Sequence, residues 1–282
     1  MEQIRIHAGE WVFDALAAGP AGGELLLMLH GFPQTASAYR AQIPVLAEAG
    51  YRVVAPNQRG YSPGARPQGA EHYQLASMVG DVFAMADALG YERFHLLGHD
   101  WGGAVAWVTA TQGPDRVATL IVLSTPHPAA FAAARSDPNS EQAKRSSYMQ
   151  DLMAGGAADR LLANDAQLLR RIYAGPAIPP ESVDEYLSVF SSPDALVGAL
   201  NWYRALSLPA PEAPPGPPPK IRVPTVYVWS TEDQAFARES AEASAEYVSG
   251  PYEFVVLEGV SHWIPEEAHA EVTDIILRHI GP

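Results

Sequence analysis

Hydrophobic and polar positions along the chain fall into two alternating rhythms. Short apolar runs recur at 25–29, 52–55, 94–97, 120–123, 225–229 and 254–257. Each is too short for a helix, which predicts strands buried on both faces. Between them lie stretches of helical period, 75–89 and 104–111, and the chain closes with a third at 266–279. Apolar strand, amphipathic helix, apolar strand is the βαβ repeat, so the pattern predicts an α/β protein with a mostly parallel central sheet and flanking helices. From 126 to 222 the rhythm changes: helical patterns stand at 146–153, 166–173 and 182–190, with no convincing strand. The prediction is a core of 1–125 and 223–282 interrupted by an inserted helical lid, 126–222. The lid returns through the proline-rich run 209–219, which can continue neither helix nor sheet and reads as a stiff connector.

Composition narrows the class of molecule. With 48% hydrophobic and 18% charged residues in a chain of 282, a substantial core can be buried, and disordered or fibrous architectures are disfavoured. The formal net charge of -14 opposes attraction to phosphate backbones and anionic lipid, so neither nucleic acid nor membrane is an expected partner. The absence of cysteine removes disulfides, thiolate catalysis and cysteine-held metals, and fits a reducing cytoplasm. The opening residues are polar and include Glu2, unlike a signal peptide, and no apolar run approaches the ~20 residues of a membrane helix. These features predict a soluble cytoplasmic protein acting on a small molecule, its oligomeric state left open.

The sharpest chemical signal is Gly98-His99-Asp100-Trp101-Gly102-Gly103, directly after one predicted strand and before a predicted helix. This is the setting of a nucleophile elbow, where glycines permit a cramped turn that lifts one strained side chain above the sheet. Here that side chain is the carboxylate of Asp100; the plainer alternative is an aspartate that caps the following helix. A second motif, His30-Gly31-Phe32-Pro33, stands at the end of an earlier strand, where an oxyanion-hole loop belongs. The Phe32 and Trp101 N–H groups are then the expected donors to a developing oxyanion. A carboxylate nucleophile leaves an ester on the enzyme, whose hydrolysis needs a general base. His262, in Gly259-Val260-Ser261-His262-Trp263 just past the last predicted strand, fits that role. Asp233, after the strand 225–229, supplies the acid that orients it and gives the chain order nucleophile, acid, histidine. Glu232 is its rival, and the choice between them rests on loop geometry. No acid follows the strand ending at Leu123, where Ser124-Thr125-Pro126 stands.

On these motifs, together with Leu200-Asn201-Trp202-Tyr203-Arg204, the sequence resembles the epoxide hydrolases of the α/β-hydrolase superfamily and, more distantly, the haloalkane dehalogenases. The resemblance spans nearly the whole chain. It implies an α/β-hydrolase fold, no metal or organic cofactor, and a hydrogen bond from Tyr203 to the epoxide oxygen. The family usually presents a second lid tyrosine; the nearest candidate is Tyr148, although an alignment can place Arg145 there instead. Asn57 stands where related sequences often carry aspartate. His30 and Trp202 are further candidates for substrate contact.

The expected reaction is attack of Asp100 on a saturated epoxide carbon while Tyr203, with Tyr148, polarises the oxygen; water activated by His262 then hydrolyses the alkyl ester to a diol. Two alternatives stand beside it. An alkyl halide could be the substrate, its leaving halide cradled by Trp101 and Trp202. A ligand-binding protein could use the same pocket without turnover.

Overall fold

The computed structural model describes residues 1–173, 178–209 and 219–281. Eight strands form one sheet in the order β1-β2-β4-β3-β5-β6-β7-β8: β1 Glu2–Ala8, β2 Trp11–Ala18, β3 Leu25–Leu29, β4 Arg52–Pro56, β5 Phe94–His99, β6 Val117–Leu123, β7 Thr225–Glu232 and β8 Tyr252–Ser261. From β4 to β8 every pairing is parallel, while β1 and β2 form an antiparallel hairpin whose second strand runs antiparallel to β4. The hairpin lies outside the predicted set of strands. Its signal is a period of two, with Ile4, Ile6 and Ala8 alternating against polar residues and Phe13, Ala15 and Ala17 doing the same, weaker than the continuous apolar runs of the central strands.

Central strands carry apolar residues on both faces because both faces are covered. Leu25, Leu27, Leu29, Leu96, Leu120 and Val122 enter one core with the helices α2 (Leu75–Ala88) and α3 (Trp101–Gln112). Leu26, Met28, Val53, Leu97, Ile121 and Val226 enter the other, against α1 (Gln42–Glu48) and the C-terminal helix.

Between β6 and β7 the described residues form the helices α4 Pro128–Ser136, α5 Glu141–Arg145, α6 Met149–Met153, α7 Ala157–Ile172, α8 Pro180–Ser188 and α9 Pro193–Ala205. After β7 come α10 (Arg238–Ala243) and, past β8, α11 (Ile264–Glu267) and α12 (His269–Ile280). Among the described residues no helix is long and apolar enough to cross a membrane. Most of the proline-rich run 209–219 lies outside the described residues.

The helix α9 was not predicted, and its burial explains why: Leu196, Gly198 to Tyr203 and Ala205 are all buried, so no polar face marks a helical period. It lies against the loop after β4. A Cβ on Gly198 would stand 2.8 Å from the Gly60 carbonyl oxygen, and one on Gly60, whose φ is +90°, 2.7 Å from the Gly198 carbonyl. The two backbones therefore touch directly. Beside them the Trp202 indole donates to the Arg59 carbonyl at 2.8 Å, and the Arg59 side chain forms a buried two-pronged pair with Asp81 at 2.7 and 2.6 Å. Gly198→Ala is expected to wedge α9 off this loop and cost about 1–3 kcal/mol, as overpacking does. Gly80→Ala, at an exposed position in α2 with open space around it, is expected to stabilise by up to about 1 kcal/mol. Thermal melting of the two variants measures both effects.

Candidate active site

Register brings the chemistry to one edge. Leu29 pairs with Gly98, Gly98 with Val122, His99 with Leu123 and Leu123 with Val228, so the loops leaving β3, β5, β6 and β7 emerge side by side at the carboxyl ends of parallel strands, where open α/β sheets place ligands. At the end of β5 the turn is tight: a Cβ on Gly98 would strike the Gly102 carbonyl, and one on Gly102 the Leu29 carbonyl. Asp100 sits at the apex with φ 50° and ψ −122°, a conformation that costs on the order of 1–3 kcal/mol for a residue with a side chain. Thr125 Oγ1 braces it by donating to the Asp100 carbonyl at 2.6 Å. The Asp100 side chain makes no capping hydrogen bond to α3.

That side chain points instead into a cluster of buried groups. Its Oδ1 accepts the Phe32 N–H at 2.7 Å, the Trp101 N–H also donates to the carboxylate, and Oδ2 stands 3.7 Å from His262 Nε2. On the far side of the imidazole, His262 Nδ1 lies 3.2 and 3.3 Å from the two oxygens of Asp233. Asp233 Oδ1 also accepts the N–H groups of Ala235 and Phe236 at 2.8 and 2.9 Å. Glu232 is exposed, so of the two rival acids only Asp233 reaches the ring.

Each group shifts for an identifiable reason. Burial pushes the Asp100 carboxyl up, against the lowering pull of His262 and the two N–H donors, and it ends above the ordinary range. Burial also opposes charge on Asp233, but His262, Ser124 and the Phe236 N–H outweigh it and hold that carboxyl low. For His262, burial disfavours the imidazolium, yet the Asp233 charge and hydrogen bond, with the charges of Asp100 and Glu266, raise it to about 9.

Above Asp100 opens a mostly apolar cavity of about 500 Å³, lined by Trp101, Tyr148, Met149, Tyr203 and Phe236 among others. The Tyr203 ring meets Trp101 edge-on at 5.2 Å and Tyr148 at 6.4 Å. Among the described residues no hydrogen bond ties either phenol to the backbone. Burial, then the neighbouring Tyr148, Asp100 and Tyr61, keep the Tyr203 phenol protonated well above its ordinary range. Desolvation of its hydroxyl, with Asp100 next, also raises Tyr148, although the residue as a whole is 39% exposed. Arg145 faces elsewhere: its guanidinium donates to the Asp233 and Phe236 carbonyls. Of the two candidates, Tyr148 is the one that lines the cavity.

Two predicted contact residues do not line this cavity. The His30 ring is enclosed, Nδ1 facing the Gly31 carbonyl at 3.0 Å and Nε2 accepting the Gln58 N–H at 3.1 Å; burial lowers it to about 4, so it stays neutral and shapes the loop. Trp202 is committed to the Arg59 carbonyl and packs edge-on against Trp101 and Tyr61. Asn57 is structural as well, its Oδ1 accepting the Ala36 N–H at 2.8 Å.

Sequence reasoning passed over two residues beside the imidazole. Ser124 Oγ lies 2.6 Å from Asp233 Oδ2 and 2.9 Å from His262 Nδ1. Glu266 Oε1 accepts from Gln34 Nε2 at 2.6 Å and from the Tyr186 hydroxyl at 2.7 Å, while its Oε2 is enclosed without a partner. Only the first had a signal, a hydroxyl at the end of β6 where an acid was sought. Among the described residues no group of three or more His, Cys, Asp or Glu could hold a metal ion.

A sheet of this order, with an acid after β5, a second acid after β7 and an imidazole after β8, defines an α/β-hydrolase. The chain belongs to the alpha/beta hydrolase fold family, whose model matches residues 24–268, and it is a hydrolase. It is 32% identical to epoxide hydrolase A of Mycobacterium tuberculosis over 93% of this chain and 92% of that protein. It is 31% identical to mouse epoxide hydrolase 4 over 97% and 77%. Among solved structures, an epoxide hydrolase from metagenomes of hot environments superposes with a TM-score of 0.88 at 30% identity, covering 100% of this chain and 99% of that one. Epoxide hydrolase A of Mycobacterium thermoresistibile gives 0.82 at 27%, covering 99% and 98%.

Burial pushes Glu266 up from 4.5 to about 7, against the pull of its hydrogen-bond donors and of His262. Folding therefore favours its protonated form, and the stability this contributes is full below pH 4.5 and lost as pH rises through about 7. Glu266→Gln has no proton to lose. The variant is expected to match the wild type near pH 4.5 and exceed it on the order of 1–3 kcal/mol above pH 7.5, measured by denaturant unfolding across that range.

Proposed function

We propose that this protein hydrolyses epoxides to diols through a covalent ester on Asp100. One observation carries the reading: a single carboxylate has one oxygen held by backbone N–H groups and the other beside an imidazole, beneath two phenols in an apolar cavity. The names of the relatives and of the structural neighbours support the same substrate class.

Asp100 Oδ2 attacks the less hindered epoxide carbon in line, and the carbon–oxygen bond of the ring breaks. The developing alkoxide accepts hydrogen bonds from Tyr203 and Tyr148, both raised above the ordinary phenol range, and takes up the proton that His262 carries at rest, which leaves a hydroxyalkyl ester and a neutral imidazole; without such donors it would be a very basic leaving group. His262 then takes a proton from water at Nε2, and the hydroxide adds to the ester carbonyl. The Phe32 and Trp101 N–H groups hold the resulting oxyanion. Collapse expels the diol oxygen, which takes the proton back from His262, and the Asp100 carboxylic acid that remains passes its own proton to the ring, restoring the ionised pair.

The charge balance fits this order of events. In the resting site the Asp100 charge helps hold His262 near 9, so the ring is protonated and supports ionised Asp100. Ester formation removes that charge, and His262 falls towards the range of a useful base when a base is needed. The helices of 126–222 act in this reading as a cap: α9 places Tyr203 and the turn 146–148 places Tyr148 above Asp100.

An alkyl halide is the competing substrate. It needs two weak donors at the leaving atom, and Trp202 is already committed to Arg59, which leaves Trp101 alone. Assay of epoxide and haloalkane panels for diol against halide release decides the matter, and halide release alone would overturn the epoxide reading.

Tyr203→Phe or Tyr148→Phe alone is expected to slow ester formation about 10- to 100-fold, and the double variant about 10²–10⁴-fold, the range of general-acid assistance, in single-turnover kinetics. His262→Gln is expected to stop turnover after the first step, so intact-mass measurement with an epoxide should find the protein heavier by the whole substrate, with the adduct on Asp100.

A further inference from the structure

We propose that Ser124 is a positioning residue of the base, its hydroxyl spanning His262 Nδ1 and Asp233 Oδ2 so that the ring is held through the serine as well as by the carboxylate. This inference rests on the two-step reading above.

The assignment follows from counting protons. A hydroxyl has one to give. Its partners are a carboxylate oxygen at 2.6 Å and a ring nitrogen at 2.9 Å, and the ionised acceptor takes it. Ser124 Oγ can then meet Nδ1 only as an acceptor, so Nδ1 keeps its hydrogen throughout, and once the ring is neutral in the ester the Nε2 lone pair faces the attacking water. The direct contacts from Nδ1 to Asp233, 3.2 and 3.3 Å, are longer than the ~2.7–2.9 Å of a charge-assisted hydrogen bond. The serine contact is the shortest that Nδ1 makes.

Surroundings fix the hydroxyl in place. Ser124 is fully buried and holds a φ of +70°, where a residue with a side chain is strained. Its N–H donates to the Val228 carbonyl at 2.8 Å, and its own carbonyl accepts the Tyr227 hydroxyl at 2.8 Å. Both clamps belong to β7, the strand that carries Asp233, so serine and acid move as one body relative to the ring. The other titratable groups around His262 are Asp100 and His99 from β5 and Glu266 from α11, and none of them reaches Nδ1.

The test compares Ser124→Ala with Ser124→Gly in the full-length protein. Both remove the hydroxyl, and glycine also relieves the backbone strain, so one of the two remains usable if the other misfolds. In single-turnover kinetics with an epoxide, ester formation should change less than about threefold, while ester hydrolysis should slow about 10- to 100-fold, the worth of one hydrogen bond to a charged group. A merely structural role would slow both steps together, and that outcome overturns the proposal.

A second measurement needs no substrate. NMR of isotope-labelled imidazole nitrogens, with His262 assigned among the nine histidines by comparison with His262→Gln, follows its titration. Loss of the serine acceptor should lower the His262 pKa by about one unit. An unchanged titration overturns the proposal even if epoxides are hydrolysed. A shifted titration in a protein that forms no ester leaves the serine assignment standing and rejects the epoxide reading instead.

Discussion

The site depends on one strained residue. Asp100 is held with φ 50° between two glycines whose neighbours leave no room for a side chain, and the sheet keeps it there. Leu29 and Gly102 touch because β3 and β5 are adjacent and parallel, and Thr125 bonds to the Asp100 carbonyl because β6 lies on the other side. Loops of three strands thus over-determine one backbone conformation, which is the condition under which such strain persists. What it secures is direction. The carboxylate makes no capping bond deeper in the helix and turns to the N–H groups of Phe32 and Trp101 and to His262.

A second set of contacts decides what stands above that carboxylate. The Gly60–Gly198 contact lets α9 approach the core at backbone distance, and Trp202, bonded to the Arg59 carbonyl, sets its rotation. Tyr203 is the next residue, so its position over the cavity follows from a salt bridge, Arg59–Asp81, that lies outside the cavity lining. On the opposite side Tyr173 and Tyr186 reach down from the inserted helices to the Pro33 carbonyl and to Glu266. The insert is thereby pinned at both ends of the cleft, and Tyr203 and Tyr148 stand over the cavity without, among the described residues, a hydrogen bond of their own to the backbone.

Much of this was legible because its signals are local. Central strands announce themselves as apolar runs, and the elbow as glycines around an acid at a strand end, so the core and the residues Asp100, Asp233 and His262 could be placed together from the sequence. What stayed hidden depends on burial that erases pattern. The helix α9 has no polar face to betray its period. His30 and Trp202 were expected to contact substrate because motif position does not say which way a ring turns, and both spend their polar atoms on backbone. Ser124 had only its place at the end of β6 to mark it, since a hydroxyl in a loop is ordinary until register places it 2.9 Å from an imidazole.

The elbow's identity also limits which bonds such a site can open. A carboxylate that attacks an ester or amide carbonyl forms an anhydride, which returns to reactants more easily than it goes forward. Attack on a saturated carbon gives an alkyl ester, and that is stable until a base drives water onto it. The surrounding electrostatics match the second case. The Asp100 and Asp233 carboxylates flank one imidazole, with Glu266, raised to about 7, nearby; in the proposed reaction their charge keeps the ring protonated while Asp100 is free, and alkylation of Asp100 releases it. In the proposed reaction the ester is therefore both the intermediate and the signal that readies the base for the next step.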